Sequence, residues 1–392
     1  MALGSVGGNL MPVLLSGYAL RFGLSGAGSG VVAAAQLLTT AAVTLLMARR
    51  AALPGRARMA RGGLVVAAAG FAGAAMASGP VLLTAANVLA GAGLGAVFAA
   101  SAAGLAATGD ADRASRVAML GSTIACAALL VVVPAADAGL GTGAGFAVVA
   151  VCCVPAYVLV GRLPERSGQC AEGAEGAKDP GDAGRSGVPG VPLLAAVALL
   201  LAADQGTWSY AAVFGQEHAR MSSSAVSVTL AVAGICALAG IVTGSLAARR
   251  FGRMPAMAGC LALSAVAKCA VVWTGSAAAY AVAMVVWQCC YLAVLALALA
   301  AAAAIDASGR CAVALSGAVM VGAGLGPLAV GALLDAAGPA ALAAALAAAT
   351  CAAAAPVLRM ARISDGAPAG AEPSGVVAVA GAPGPYLDRV DE

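Results

Sequence analysis

Residues 225–253 read AVSVTLAVAGICALAGIVTGSLAARRFGR, an unbroken apolar run over 225–247 that ends on Arg249, Arg250 and Arg253. A run of that length matches the roughly 20 residues a helix needs to cross the roughly 30 Å hydrocarbon layer of a bilayer. Basic residues directly after it mark the side on which it stops. The rest of the chain repeats the pattern. Of 392 residues, 62% are hydrophobic and 10% charged, against roughly 25% charged in an ordinary soluble domain, and the mean hydropathy is +0.97. Only 4% are aromatic, so the apolar mass is alanine, leucine, valine and glycine. That composition excludes a disulfide scaffold, a disordered tail protein, a basic nucleic-acid binder and a single-core globular domain. A polytopic helical membrane protein remains.

Further apolar segments fall at 3–20, 29–48, 63–78, 81–104, 118–135, 144–161, 191–215, 256–274, 278–304, 312–334 and 338–357. With 225–247 these make twelve expected spans, numbered 1 to 12 in chain order, of which 225–247 is span 8. Arg49, Arg50, Arg56, Arg58 and Arg61 follow span 2, Arg113 and Arg116 follow span 4, and Arg310 follows span 10. Arg162, Arg166, Lys178 and Arg185 lie between spans 6 and 7, and Arg359, Arg362 and Arg389 beyond span 12. The opposite connections hold only Arg21 and Arg220, while Lys268 lies inside span 9. The side holding 18 of the 21 basic residues is expected to be cytoplasmic, with both termini on it, in the cell membrane. The start, Met1-Ala2-Leu3-Gly4, has no positive n-region, so a cleavable signal peptide is not expected.

Residues 162–190 lack apolar periodicity and read as a flexible cytoplasmic linker, and the Pro/Gly-rich 358–392 as a disordered cytoplasmic tail. The expected organisation is therefore a six-helix bundle over 1–161 and a second over 191–357. The halves echo each other: Asp112-x-x-x-Arg116 recurs as Asp306-x-x-x-Arg310, and the step Gly55-Arg56 recurs as Gly252-Arg253, 197 residues on. Repeated matches at nearly one offset support a duplicated unit of the kind built into many secondary transporters.

These features resemble the major facilitator superfamily, over nearly all of the chain except the linker and tail. Gly244-Ser-Leu-Ala-Ala-Arg249-Arg250-Phe251-Gly252-Arg253 is similar to that family's loop signature: Arg250, Gly252 and Arg253 match in place, whereas Arg249 stands where an aspartate is expected. The resemblance implies a cytoplasmic gate of Arg249, Arg250, Gly252, Arg253, Arg116 and Arg310, with Asp112 and Asp306 as available carboxylates; simple topology determinants are the alternative. In span 11, Gly322-Ala-Gly324-Leu-Gly326-Pro327, followed by Asp335, resembles the family's Gly-Pro helix motif. In span 4, Asn87-Val-Leu-Ala-Gly91-Ala-Gly93 resembles its Arg-x-x-x-Gly-x-Gly motif with asparagine in the arginine position. Small residues at such spacing let helices approach closely. No phosphate-binding loop sequence occurs.

Charges inside a bilayer cost about 2.5 to 3.5 kcal/mol each on insertion scales, so each needs a reason. Asp204 lies near the middle of span 7 within Asp204-Gln205-Gly-Thr-Trp208-Ser-Tyr210, the most polar intramembrane stretch. It is the expected proton or cation site, or the counter-charge of a cationic substrate, with a structural carboxylate as the alternative. Lys268 is expected to snorkel toward the near membrane face. Around Asp204 the expected cavity residues are Asn9, Gln36, Gln205, Trp208, Tyr210, Trp287, Gln288 and Tyr291. His218 is the one histidine, and the 11 cysteines include no Cys-x-x-Cys, so neither a metal site nor a cofactor is expected. Gly23-Leu24-Ser25-Gly26 has the form of an intramembrane serine-protease motif, but it falls between spans, as does His218, and no enzyme is expected. The expected fold is all-α, with twelve spans in two six-helix bundles. The expected function is proton-coupled secondary transport, export slightly favoured, of a small organic solute by a monomer in the lipid bilayer. A non-transporting membrane sensor or assembly partner that keeps the fold is the alternative.

Overall fold

The structure, a computed structural model, describes residues 2–51, 53–106, 111–162, 190–305 and 310–365. All regular elements among them are helical. Spans 2 to 6 are the helices Gly26–Ala51, Arg56–Ala75, Pro80–Ala106, Ala111–Leu140 and Ala144–Leu159, and spans 7 to 10 are Val191–Glu217, Ser223–Phe251, Arg253–Trp273 and Ala277–Ile305. The expected linker lies, but for its first and last residues, outside the described residues.

Span 1 is two helices, Ala2–Asn9 and Met11–Phe22, for a local reason. Pro12 has no N–H to give the Gly8 carbonyl, and the Val13 N–H turns to the Leu10 carbonyl at 3.1 Å. The break at Leu10 thus frees two consecutive carbonyls, those of Gly8 and Asn9.

The last helix, Arg310–Asp365, would be about 84 Å long if straight, far more than a bilayer holds. It is broken at Gly338, whose φ of 76° and ψ of 179° only glycine adopts readily. Before the break Gly322, Gly326 and Gly331 meet Ala198, Ala202 and Tyr210 of span 7 in rising order, so this stretch runs parallel to span 7. After it, Cys269 bonds the Ala343 carbonyl and Asp365 receives the Arg253 N–H, so the chain returns antiparallel to span 9. These two stretches are spans 11 and 12, completing twelve. Span 12 ends at Asp365 rather than at 357: Val357, Met360 and Ala361 are buried, which keeps the helix docked past the expected boundary. The tail beyond lies outside the described residues.

Spans 2, 3 and 4 pack together with span 6 on span 3, while spans 7, 9 and 11/12 pack together and span 8 packs on span 10. The seam between the halves is formed by spans 1 on 7, 2 on 11 and 5 on 8. The outer surface is apolar, with Leu20, Leu46, Val81, Val158, Val266 and Val282 exposed, as lipid contact requires. Scarce charges close helix ends. Arg21 donates to the carbonyls of Ala74, Ala75 and Ala77 at 2.8 to 3.0 Å, and Asp137 accepts from the N–H groups of Gly143 and Gly145.

Candidate functional site

Midway along spans 7 and 10 a cavity of about 250 Å³ opens between the halves. Spans 1 and 5 supply Ser5, Asn9, Ser122, Thr123 and Cys126; spans 7, 8 and 10 supply Asp204, Gln205, Trp208, Leu238, Trp287, Gln288 and Tyr291. Most of the lining is apolar or neutral.

Asp204 is buried, and its Oδ1 accepts two hydrogen bonds, from Lys268 Nζ and Trp287 Nε1, both at 2.9 Å. Its Oδ2 has no protein partner among the described residues and keeps accessible surface. The expectation that Lys268 snorkels is overturned: the side chain is 0% exposed and ends on Asp204. A flexible stem beside a membrane face reaches water only when nothing nearer neutralises it, and here the one mid-depth carboxylate does. The readable signal was that the chain's two mid-span charges, in spans 7 and 9, have opposite sign.

The aromatic wall is likewise committed. Trp208 and Trp287 stand 6.5 Å apart at a 58° tilt. The Trp208 indole N–H donates to the Asn9 carbonyl at 3.2 Å, and Gln205 Nε2 donates to the Gly8 carbonyl at 3.2 Å. The two carbonyls freed at the break in span 1 are thus recaptured across the seam by span 7. Asn9 itself donates through Nδ2 to Cys126 Sγ at 3.5 Å.

Two expected cavity residues stand elsewhere. Tyr210 donates its hydroxyl to the Gly26 carbonyl at the far end of the seam, against Gly30 and Gly331, because about 1.7 helical turns separate it from Asp204. Gln36 is wholly buried against Gly7 of span 1 and Leu94 of span 4, and both amide atoms lack a partner among the described residues. The lining contributed by Ser5, Ser122 and Thr123 was not expected: such residues occur throughout membrane helices and carry no sequence signal.

At the end of the bundle remote from the termini the seam is closed. Asp335 of span 11 accepts the N–H groups of Gly26 at 3.0 Å and Ala27 at 2.7 Å, capping span 2 of the other half. The small-residue motifs lie against neighbouring helices. Asn87 bridges spans 1 and 4, accepting from Tyr18 at 2.7 Å and donating to the Leu83 carbonyl. Gly91 faces the Gln36 carbonyl, and Gly322 and Gly326 bring span 11 onto the span 7 backbone, with Pro327 against Gly30.

At the termini end, Gly55 and Gly252 hold φ values of 100° and 93°, a matched pair of sharp turns. Arg56 Nε closes the preceding helix by donating to the Ala51 carbonyl at 2.8 Å. Arg249 and Arg250 are exposed, and Arg250 lies over the Phe251 ring. Among the described residues neither they nor Arg253 form an ion pair. The carboxylate at this turn is Asp365, which receives the Arg253 and Met254 N–H groups at 3.1 and 3.0 Å. Asp306, and the side chains of Asp112 and Arg310, lie outside the described residues; Arg116 is exposed.

No curated protein matches the chain. Solved structures do. A nucleoside transporter is 12% identical, covering 92% of this chain and 98% of its own, at a TM-score of 0.70. A D-xylose–proton symporter is 12% identical over 89% and 94%, at 0.68. A bacterial homologue of the human lysosomal transporter Spinster, inward-facing and unoccupied, is 14% identical over 93% of each chain, at 0.65. These likenesses fix the fold. The sequence profile of the Major Facilitator Superfamily matches residues 1–310, and the chain belongs to that family of membrane transporters.

Proposed function

We propose that the chain carries a small organic solute across the cytoplasmic membrane by alternating access, coupled to a proton gradient and in the direction of export. The observation that carries this reading is the mid-depth cavity lined by both halves, with Asp204 as its one carboxylate among the described residues. The arginines gathered at the termini end support a cytoplasmic position for that end, by the positive-inside rule. On that assignment the far end, where Asp335 caps span 2 across the seam, is the outer one.

A proton at Asp204 removes the charge that holds Lys268 and Trp287 on Oδ1. It also leaves the Lys268 ammonium without its partner carboxylate, which links the proton to the charge balance of the site. Proton coupling on this fold has a precedent in the D-xylose–proton symporter.

The test is solute flux in proteoliposomes over a broad panel, with and without a pH gradient, for the natural chain and Asp204→Asn. Gradient-driven accumulation is expected to fall at least about tenfold in the variant while counterflow exchange persists. Full accumulation by Asp204→Asn removes the coupling role. Absence of flux for every solute removes transport and leaves a sensor or assembly role.

A further inference from the structure

The charge balance of the cavity closes, and with the unpartnered acceptors of its lining it defines what fits there. Among the described residues Asp204 is the only charged one in the lining, and its charge is already balanced by Lys268, which is fully buried and does not line the cavity. A cationic ligand would leave one positive charge uncompensated at mid-membrane. An anionic ligand would face Asp204 Oδ2 with no lining cation to receive it. Either costs far more than a neutral ligand in a medium of low dielectric constant.

Three donors beside Asp204 are already engaged. The indole N–H of Trp287 is spent on Asp204, that of Trp208 on Asn9, and the Gln205 amide N–H on Gly8. Asp204 Oδ2, Gln205 Oε1 and Asn9 Oδ1 have no protein partner among the described residues, and all three residues line the cavity. These acceptors can receive O–H or N–H groups of a solute; the Thr123 and Tyr291 hydroxyls and the Gln288 amide also line the cavity, beside the indole faces of Trp208 and Trp287. The volume, about 250 Å³, lies below the roughly 300 Å³ at which drug-sized pockets begin, which limits the ligand to one ring with a short arm.

We infer that the cavity takes a neutral, single-ring solute bearing O–H or N–H donors, and that Lys268, without touching the solute, sets this charge preference through Asp204. The inference deepens the transport reading and rests on the cavity being its site. Lys268 acts as a positioning residue for the carboxylate and for its charge balance. A structural role alone would alter affinity for all ligands alike; a charge-balancing role reorders them.

The experiment is calorimetric titration of the purified full chain with four probes of one shape: tyrosol, which is neutral with two O–H donors, tyramine, 4-hydroxyphenylacetate, and the doubly O-methylated tyrosol. Tyrosol is expected to bind at least about tenfold tighter than each of the other three. In Lys268→Met the order of tyrosol and tyramine is expected to reverse. In Asp204→Asn/Lys268→Met, where net charge returns to zero without an ion pair, tyrosol again exceeds tyramine, which keeps the test alive should the single variant fail to fold. Tyramine or the acid matching tyrosol in the natural chain overturns the inference, as does binding of none of the four, or an unchanged order in folded Lys268→Met. Tyrosol bound as expected but never moved in liposomes sinks the transport reading and leaves this one standing.

Discussion

The two halves contribute unlike partners to the seam they share. In the cross-half hydrogen bonds, the N-terminal half offers backbone: the Gly8 and Asn9 carbonyls, the Gly26 carbonyl, and the Gly26 and Ala27 N–H groups. The C-terminal half offers side chains: Gln205, Trp208, Tyr210 and Asp335. In the cavity both halves give side chains, but only spans 7 and 10 give a carboxylate and indoles, beside the hydroxyls and amide of spans 1 and 5. Duplication has preserved the turns, where Gly55 and Gly252 share a backbone conformation, and not the midplane. Backbone geometry is what a shared fold must keep, whereas the midplane is free to diverge into chemistry.

The harshest way to break this comparison is to unbalance the half that carries charge. Asp204→Ala leaves the Lys268 ammonium buried and unpaired, a loss of about 3 to 5 kcal/mol, whereas Asp204→Ala/Lys268→Ala removes both charges and recovers most of it. Thermal unfolding in detergent of the two singles and the double reads the coupling. Equal and additive losses would show that the pair is not a unit. Thr123→Ala, across the same cavity in span 5, is expected to change stability by less than about 0.5 kcal/mol.

Next in size are the close approaches, where the halves should behave alike. Gly93 of span 4 faces Gly63 and Ala67 of span 3, and Gly326 of span 11 faces Ala202 and Gly206 of span 7. Gly93→Val and Gly326→Val each force helices apart and are expected to cost about 1 to 3 kcal/mol. A cost confined to one half, measured in the same unfolding assay, would limit the shared scaffold to the turns.

The twelve-span architecture was legible because bilayer thickness ties helix length to apolar run length, and the glycine repeats mark the helix contacts. The break in span 1 was not marked as one, although Pro12 encodes it. At the site, Asp204, Gln205, Trp208, Trp287, Gln288 and Asn9 were found as the polar or aromatic residues of mid-span positions. Lys268 was misread, because sequence position gives depth but not azimuth, and only azimuth decides which neighbour a long side chain meets. Tyr210 was misplaced for the same reason, being turned around span 7 away from Asp204. Asp365 and Asp335 escaped attention as caps because a cap from a distant helix leaves no local pattern.

A finer cut tests the seam at mid-depth. Trp208→Phe keeps the ring and deletes the N–H that holds the Asn9 carbonyl, removing about 1 kcal/mol of net hydrogen bonding. The Asn9 side chain does not take part in that bond, so Asn9→Ala should leave the spacing of spans 1 and 7 unchanged. Distance measurements between labels on these spans are expected to show a population shift of about fivefold toward separation for Trp208→Phe and none for Asn9→Ala. Equal shifts would end the division into backbone and side-chain partners.

The smallest effect is expected at the far end, and it isolates charge from packing. Asp335 holds both free N–H groups at the start of span 2, where the helix dipole favours a negative group. Asp335→Asn keeps the shape and one acceptor but removes the charge, a loss of about 0.3 to 1 kcal/mol for an exposed carboxylate at a helix start. The closed seam should therefore open about two to five times more often, seen as faster hydrogen exchange of the Gly26 and Ala27 amides with exchange inside span 9 unchanged. Gly26 cannot be used for the reciprocal experiment, since any side chain there would run into Asp335 itself. The latch can therefore be tuned only from the C-terminal half. If Asp335→Asn leaves those amides as protected as before, the seam is held by the glycine contacts of spans 2 and 11, and side-chain control of the far end is lost from the comparison.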